Sequence, residues 1–296
     1  MKILIAGGSG FIGRALADSL LADQHQVFIL TRRAPRSIHE IQWDGRTPKG
    51  WGQRVHEMDG IVNLTGFGLA HWPWTKSNRQ RFIDSRVLPG LALAAAVKQA
   101  PPRPGVFIQA SGINYYGLRG DPIADESTPP ADDFLSQLTV QWEEATKSVE
   151  QMGVRRVVLR QAVVLARNGG MFPLMALPVR LFAGGPVGNG GQAVPWIHIA
   201  DLVGAIRFLM EHQNANGAYN LIAPTPTSNA EFMRAVAQAL HRPYWFRTPA
   251  FVLRAVLGEM SVLVAEGRYC RSRRLAELGY PFRFPRIQDA LADLFS

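Results

Sequence analysis

A chain of 296 residues, 47% of them hydrophobic and 19% charged, is long enough for one large α/β domain or two smaller ones and is not disordered by composition. Its net charge of +9 reads first as an arginine-rich solvated surface and second as a site for a phosphorylated ligand; no zinc-finger spacing or interleaved aromatic and basic pattern accompanies it, so nucleic acid is a weak candidate partner. The single cysteine, Cys270, excludes an intramolecular disulfide and suits a reducing compartment; the N-terminal apolar run ILIA is too short for a signal sequence, no run is long enough to span a membrane, and the expected location is the cytoplasm.

Taken in chain order, KILIAG reads as a buried parallel strand ending in Gly, and GFIGRALADSLLADQH follows with apolar residues at helical spacing. QVFILTRR is a second strand and DGIVNLTG a third. SNRQRFIDSRVLPGLALAAAVKQA is helical with an interruption expected near Pro89. PGVFIQASG is a strand, DDFLSQLTVQWEEATKSVEQMG one long amphipathic helix, and VRRVVLRQAVVL a single further strand. The rhythm then changes to a Gly- and Pro-rich stretch, residues 166–200, suited to a lid or a substrate-facing segment. IADLVGAIRFLMEHQ is a helix whose N-cap is expected at Asp201, and GAYNLIA returns to the sheet. From about Pro224 the tail is mostly helical. Alternating strands and helices predict an α/β fold of the Rossmann type: a doubly wound parallel sheet with a smaller, mostly helical C-terminal subdomain on the substrate side. The expected division is 1–223 for the nucleotide-binding domain, with 166–200 contributing to the substrate side, and 224–296 for the subdomain.

GGSGFIG closes the first strand and opens the first helix, placing Gly7, Gly10 and Gly13 at G-x-x-G-x-x-G spacing. Such a loop turns tightly, lets backbone approach a pyrophosphate, and offers the free N–H groups and positive dipole end of a helix to the anion. The end of the second strand selects the nucleotide. An acidic residue there accepts from the ribose hydroxyl of NAD(H), whereas this chain has Thr31, Arg32 and Arg33, which donate to a phosphate; NADP(H) is expected over NAD(H).

At this point the chain resembles extended short-chain dehydrogenase/reductases, in particular an atypical NAD-dependent epimerase/dehydratase subfamily with a DUF1731-type C-terminal region. The resemblance spans nearly the whole chain and rests on GGSGFIG, IVNLTG, FIDSR, ASGINYYG, DFLSQLTVQWEEA, LRQAVVLARNGG, GGPVGNGGQAVPWIHIADLV, YNLIAPTPTSNAEF and the late Gly258–Glu259 pair. Thr65, Asn114, the HWPWT stretch and RYCRSRRL depart from the usual pattern. By matched position, the resemblance implies that Gly7, Ser9, Gly10, Phe11, Ile12 and Gly13 hold the pyrophosphate, and that Leu64, Thr65 and Gly66 lie along the adenosine side. It also implies that Arg86 faces the cleft and that Ala110 and Ser111 approach the nicotinamide ribose.

Enzymes of this superfamily usually carry a Tyr-x-x-x-Lys pair on the helix after the YG stretch, so that the lysine lowers the tyrosine pKa and the phenol exchanges a proton with the substrate. No tyrosine or lysine lies between Tyr116 and Lys147, and none of the six tyrosines has a lysine four residues later. The usual serine position falls on Gly112, with Ser111 one residue away. The remaining candidates for proton transfer are Ser111, Tyr115, Tyr116 and His198, or a bound water, with Glu126, Glu143, Glu144 and a Tyr115–Arg119 pair as further polar groups. No metal site is expected, because His and carboxylates do not cluster at ligand spacing. The leading reading is an NADP(H)-dependent oxidoreductase or epimerase on a small substrate, as a monomer or homodimer with no membrane partner. The alternatives are a non-catalytic NADP(H) sensor and, third, an RNA-binding protein on a Rossmann fold.

Overall fold

The structure, a computed structural model, describes residues 1–120 and 123–295. Seven strands form one parallel sheet: β1 (Lys2–Ala6), β2 (Gln26–Thr31), β3 (Glu40–Gln42), β4 (Gly60–Asn63), β5 (Val106–Gly112), β6 (Arg155–Gln161) and, at the far edge, β9 (Gly217–Leu221). Their order is β3-β2-β1-β4-β5-β6-β9, so the winding reverses at β1 and leaves a crevice at the carboxyl ends of β1 and β4. The sequence reading did not contain β3, which is three residues long. It also ran β6 on to Leu165. The chain instead turns at Ala162, whose N–H bonds the Leu221 carbonyl, and β7 (Val163–Leu165) leaves to pair with β8 (Trp196–His198).

The strands are near-continuous apolar runs because both faces are covered. Helices α1 (Phe11–Ala22) and α5 (Ile199–Glu211) pack Leu16, Leu20, Ile206 and Leu209 against Ile3, Ile5, Val62 and Ile108. On the other face, α2 (Lys76–Gln99) brings Leu93 and Val97 against Leu4, Ile61 and Phe107. Helix α2 runs unbroken through Pro89. Pro89 and Gly90 are buried, and a Cβ at Gly90 would stand 2.9 Å from the Ala145 Cβ, so close packing compensates the missing backbone donor. Across that contact, α3 (Phe134–Glu144) is shorter than its amphipathic pattern suggests. Arg156 takes the Glu143 carbonyl and the Thr146 hydroxyl, ending the helix before a 3-10 turn at Lys147–Met152.

The 166–200 stretch holds α4 (Phe172–Arg180), and the tail holds α6 (Asn229–Ala239), α7 (Ala250–Leu257), α8 (Val262–Ala265), α9 (Arg273–Glu277) and α10 (Ile287–Phe295). Helices α4, α6 and α10 share a core with β7 and β8 around Phe172, Trp196, Phe232 and Leu291. The arginines of RYCRSRR fasten the tail to the sheet edge. Arg271 and Arg273 pair with Asp125 at 2.8 and 3.5 Å, and Arg274 donates to the Ala218 carbonyl at 2.7 Å while covering the Tyr219 ring. Among the described residues no helix is long and apolar enough to cross a membrane.

Candidate active site

The β1–α1 turn shows why glycine recurs there. Gly7 has φ +83°, and a Cβ on it would lie 2.8 Å from the Leu64 carbonyl oxygen; one on Gly13 would lie 2.3 Å from the Gly7 oxygen. Gly10 N-caps α1 without a side-chain bond, and no acidic residue occupies the first turn, so the helix end presents its N–H groups and positive dipole unopposed. Phe11 and Ile12 turn their side chains inward to the core, and Phe11 packs so tightly under Gly169 that a Cβ there would meet its ring at 2.7 Å. Those two residues reach an anion only through backbone, while Ser9 lines the cleft.

The cleft opens into a cavity of about 450 Å³ along the carboxyl ends of β1, β2, β3 and β4. Gly7, Ser9, Gly10, Thr31, Arg32, Leu64, Thr65 and Gly66 line it, together with Asp44, Arg46, Phe67 and Ser85, which the sequence reading did not include. Arg33 is exposed and lies outside the lining; its N–H donates to Thr31 Oγ1 at 3.2 Å. Arg86 sits beneath the floor. Its guanidinium packs against Gly66, donates to the Phe67 and Phe82 carbonyls at 3.0 and 3.1 Å, and covers the Trp142 ring; burial brings its pKa down to about 10. Surface cavities of about 380 and 570 Å³ lie between α6 and α10 and beside α2 near Arg103.

Where a Tyr-x-x-x-Lys pair would act, the chain builds a different cluster. Ser111 on β5, Arg160 on β6 and Asn220 on β9 are register partners, so one row of polar side chains crosses three strands. Ser111 is fully buried and donates to Glu143 Oε1 at 2.6 Å. Glu143, on α3, takes Arg160 in a bidentate pair, Nε to Oε1 at 2.8 Å and Nη2 to Oε2 at 2.9 Å. Arg160 also donates to the Tyr116 hydroxyl at 3.0 Å, and that hydroxyl donates to Asn220 Oδ1 at 2.7 Å. Burial opposes the Arg160 charge, but Glu143 and Tyr116 outweigh it and raise the pKa above the ordinary guanidinium value. The Tyr115 ring lies 3.4 Å under the Arg160 guanidinium carbon.

Residues 3–221 match the NAD dependent epimerase/dehydratase family, and residues 248–294 match a domain of unknown function, DUF1731. The chain belongs to the NAD dependent epimerase/dehydratase family. This family member is 36% identical over 301 residues to epimerase family protein SDR39U1 of Bos taurus, the match covering 100% of both chains. The crystal structure of human SDR39U1 (isoform 2) with NADPH has a TM-score of 0.89 at 33% identity, covering 100% of this chain and 99% of that one. A nucleoside-diphosphate sugar epimerase from Corynebacterium glutamicum has a TM-score of 0.81 at 28% identity, covering 100% of this chain and 58% of that one.

In this epimerase family member the other sequence candidates take different places. Tyr116 is fully buried with both hydroxyl partners inside the chain, and burial pushes its pKa up to about 12, which suits a structural phenol rather than a proton donor. His198 lies on β8, away from the Ser111 row: it N-caps α5 by accepting from the Ala200 N–H at 3.2 Å and packs on Phe284 with ring centroids 4.1 Å apart. Burial lowers its pKa, against the opposing charge of Asp293 at 3.3 Å. Asp201 does not cap α5; the helix starts at Ile199, and the buried Asp201 carboxylate accepts from the N–H groups of Arg283 and Phe284 at 2.7 and 2.9 Å. Arg119 pairs with Glu266 rather than with Tyr115. Glu126 accepts from the Asn220 N–H at 3.0 Å, within the tail anchor. Ala110 is buried in β5 beside Ser111.

Proposed function

We propose that this chain binds NADP(H) in preference to NAD(H) and acts as an oxidoreductase or epimerase on a small oxygenated substrate, with Ser111 and Glu143 handling the proton. The observation that carries the reading is a glycine cradle at a bare helix end that opens onto a cavity lined by Thr31 and Arg32. The residues of the cradle and the cavity fit a dinucleotide: Gly7, Ser9, Gly10 and Gly13 would hold its pyrophosphate and Leu64 to Gly66 its adenosine side, whereas Ala110 and Ser111, expected at the nicotinamide ribose, are buried in β5 outside the cavity lining. NADPH is the ligand of the human relative, and the Corynebacterium relative's name makes nucleoside-diphosphate sugars the first substrate class to try. A bound nicotinamide supplies hydride chemistry. The chain's own part is to move a proton. Arg160 holds Glu143 as an acceptor for the Ser111 hydroxyl, a base-and-hydroxyl pair at hydrogen-bond distance.

Titration with NADPH and NADH, followed by nicotinamide absorbance across carbonyl compounds and nucleoside-diphosphate sugars, tests both parts. Glu143→Gln is expected to keep dinucleotide binding and to lower turnover by roughly a hundredfold or more, whereas Tyr116→Phe retains most of it. Tighter binding of NADH sinks the cofactor preference. A second reading, a non-catalytic NADP(H) sensor, is favoured by the full burial of the Ser111 and Tyr116 side chains. NADPH-dependent capture of a partner protein, with no turnover of any panel compound, supports that reading instead.

A further inference from the structure

We infer that Arg46 is the second arm of a two-arginine clamp for the phosphate on the adenosine ribose of NADP(H), and that Asp44 is the positioning residue that presents it. The inference rests on the dinucleotide reading above and changes which residues carry the selectivity: Arg32 with Arg46, not Arg32 with Arg33. Arg32 and Arg46 both line the 450 Å³ cavity, from the exits of β2 and β3, and neither guanidinium has an ion-pair or hydrogen-bond partner among the described residues. The other arginines around the site are tied down: Arg86 to carbonyls, Arg160 to Glu143, and Arg81, the third arginine lining the cavity, to Asn78 Oδ1 at 3.3 Å and over the Phe67 ring. Two unpaired cations facing one polar cavity match a phosphomonoester, which carries close to two negative charges at neutral pH.

The turn that carries Arg46 is fixed before any ligand arrives. Asp44 Oδ1 accepts from the N–H groups of Arg46 and Thr47 at 2.7 and 2.8 Å, and Oδ2 accepts from Thr47 Oγ1 at 2.7 Å. These bonds hold the Asp44 carboxyl below its ordinary range. The Thr47 carbonyl is pinned in turn by the indole N–H of buried Trp51 at 2.8 Å, and Trp51 packs edge-on against Trp43, the residue after β3. Gly45 has φ +73°, and the nearest atom to a Cβ placed there is Arg32 Cδ at 3.9 Å, so the turn faces the Arg32 side chain directly. Asp44 is one of two carboxylates lining the cavity, with Asp84, and an acidic residue near the second strand accepts from the ribose hydroxyl in NAD(H) sites. The bonds of Asp44 to its own turn divert it from that role.

Calorimetric titration of the full-length chain and its variants tests the clamp, with NADPH, NADH, adenosine 2′,5′-bisphosphate and adenosine 5′-monophosphate as probes. Arg46→Ala and Arg32→Ala are each expected to weaken NADPH and the bisphosphate roughly tenfold to a hundredfold, and to leave NADH and the monophosphate within about twofold. Arg33→Ala leaves all four unchanged. Asp44→Ala weakens NADPH by a smaller factor in the parent chain and by no further factor in the Arg46→Ala background, the signature of action through Arg46. An unchanged NADPH-to-NADH ratio in Arg46→Ala, or a loss in Arg33→Ala equal to that in Arg32→Ala, overturns the clamp while leaving the dinucleotide reading intact. Binding of neither dinucleotide by the parent chain overturns both.

Discussion

The two halves of the sheet's carboxyl edge are built on opposite principles. At the exits of β1 to β4 the backbone is bare, the helix end is uncapped by side chains, and Arg32 and Arg46 face a cavity. At the exits of β5, β6 and β9 each polar side chain of the Ser111–Arg160–Asn220 row is matched inside the protein, and Glu143 closes the set from α3. The first half is preorganised to gain partners. The second is preorganised to keep its own, because a buried cation left without its carboxylate is costly. The contrast is one of unmatched against matched polar groups: Arg32 and Arg46 at the first half have no side-chain partner among the described residues, whereas the Ser111–Arg160–Asn220 row and Glu143 satisfy one another.

Four changes break or sharpen this contrast, from large to small. Removing the closing carboxylate with Glu143→Ala leaves the Arg160 charge buried and unpaired, at an expected cost of about 3–5 kcal/mol in urea unfolding; a loss below about 1 kcal/mol means the cluster is not a closed unit. Gly13→Ala puts a methyl 2.3 Å from the Gly7 carbonyl. It is expected to cost about 3 kcal/mol and to reduce dinucleotide affinity roughly a hundredfold, read by titration, with the Glu143 cluster undisturbed. Tyr116→Phe removes one acceptor from Arg160 and one donor from Asn220, and costs about 1–2 kcal/mol with no change in NADPH affinity.

His198→Asn is the smallest, and lies outside both halves. Its burial-lowered pKa keeps the folded imidazole neutral while the unfolded chain takes up a proton below about pH 6.5, so its contribution is complete above that value and fades as pH falls through the folded value. The asparagine variant still caps α5 and is expected to flatten the stability profile between pH 7.5 and 5.5 by about 1 kcal/mol or less, with nucleotide binding unaltered. A loss of turnover in His198→Asn would return that residue to the chemistry.

The sequence was most legible where structure is local. Gly7, Gly10 and Gly13 lie on one strand-turn-helix, so their spacing carries the geometry with it, and the period of the strands and helices gave the doubly wound sheet. Legibility failed at distances the chain closes only by folding. Arg46 follows a strand of three residues with no periodic signal, so nothing nearby in sequence marks it as Arg32's neighbour across the cavity. Glu143 is 32 residues from Ser111 and 17 from Arg160, on an amphipathic helix where a surface role is the natural reading. The same blindness to long-range contacts misplaced the end of α3, where Arg156 reaches back to Glu143 and Thr146, and the cap of α5, where the Asp201 carboxylate is claimed by Arg283 and Phe284.

By itself, then, the order of residues determined a parallel α/β sheet, a tight glycine turn between the first strand and helix, a basic second-strand exit, and the absence of a Tyr-x-x-x-Lys pair, since each depends on residues within about one helix or strand of one another. Tertiary structure alone decided the buried polar cluster beside α3. The register of β5 on β6 and of β6 on β9 sets Ser111 beside Arg160 and Arg160 beside Asn220, and the close approach of α2 to α3 at Gly90 packs that helix end against its neighbour. Burial there makes each charge depend on its partner, and dependence of that kind is a property of the folded arrangement rather than of any segment of the chain.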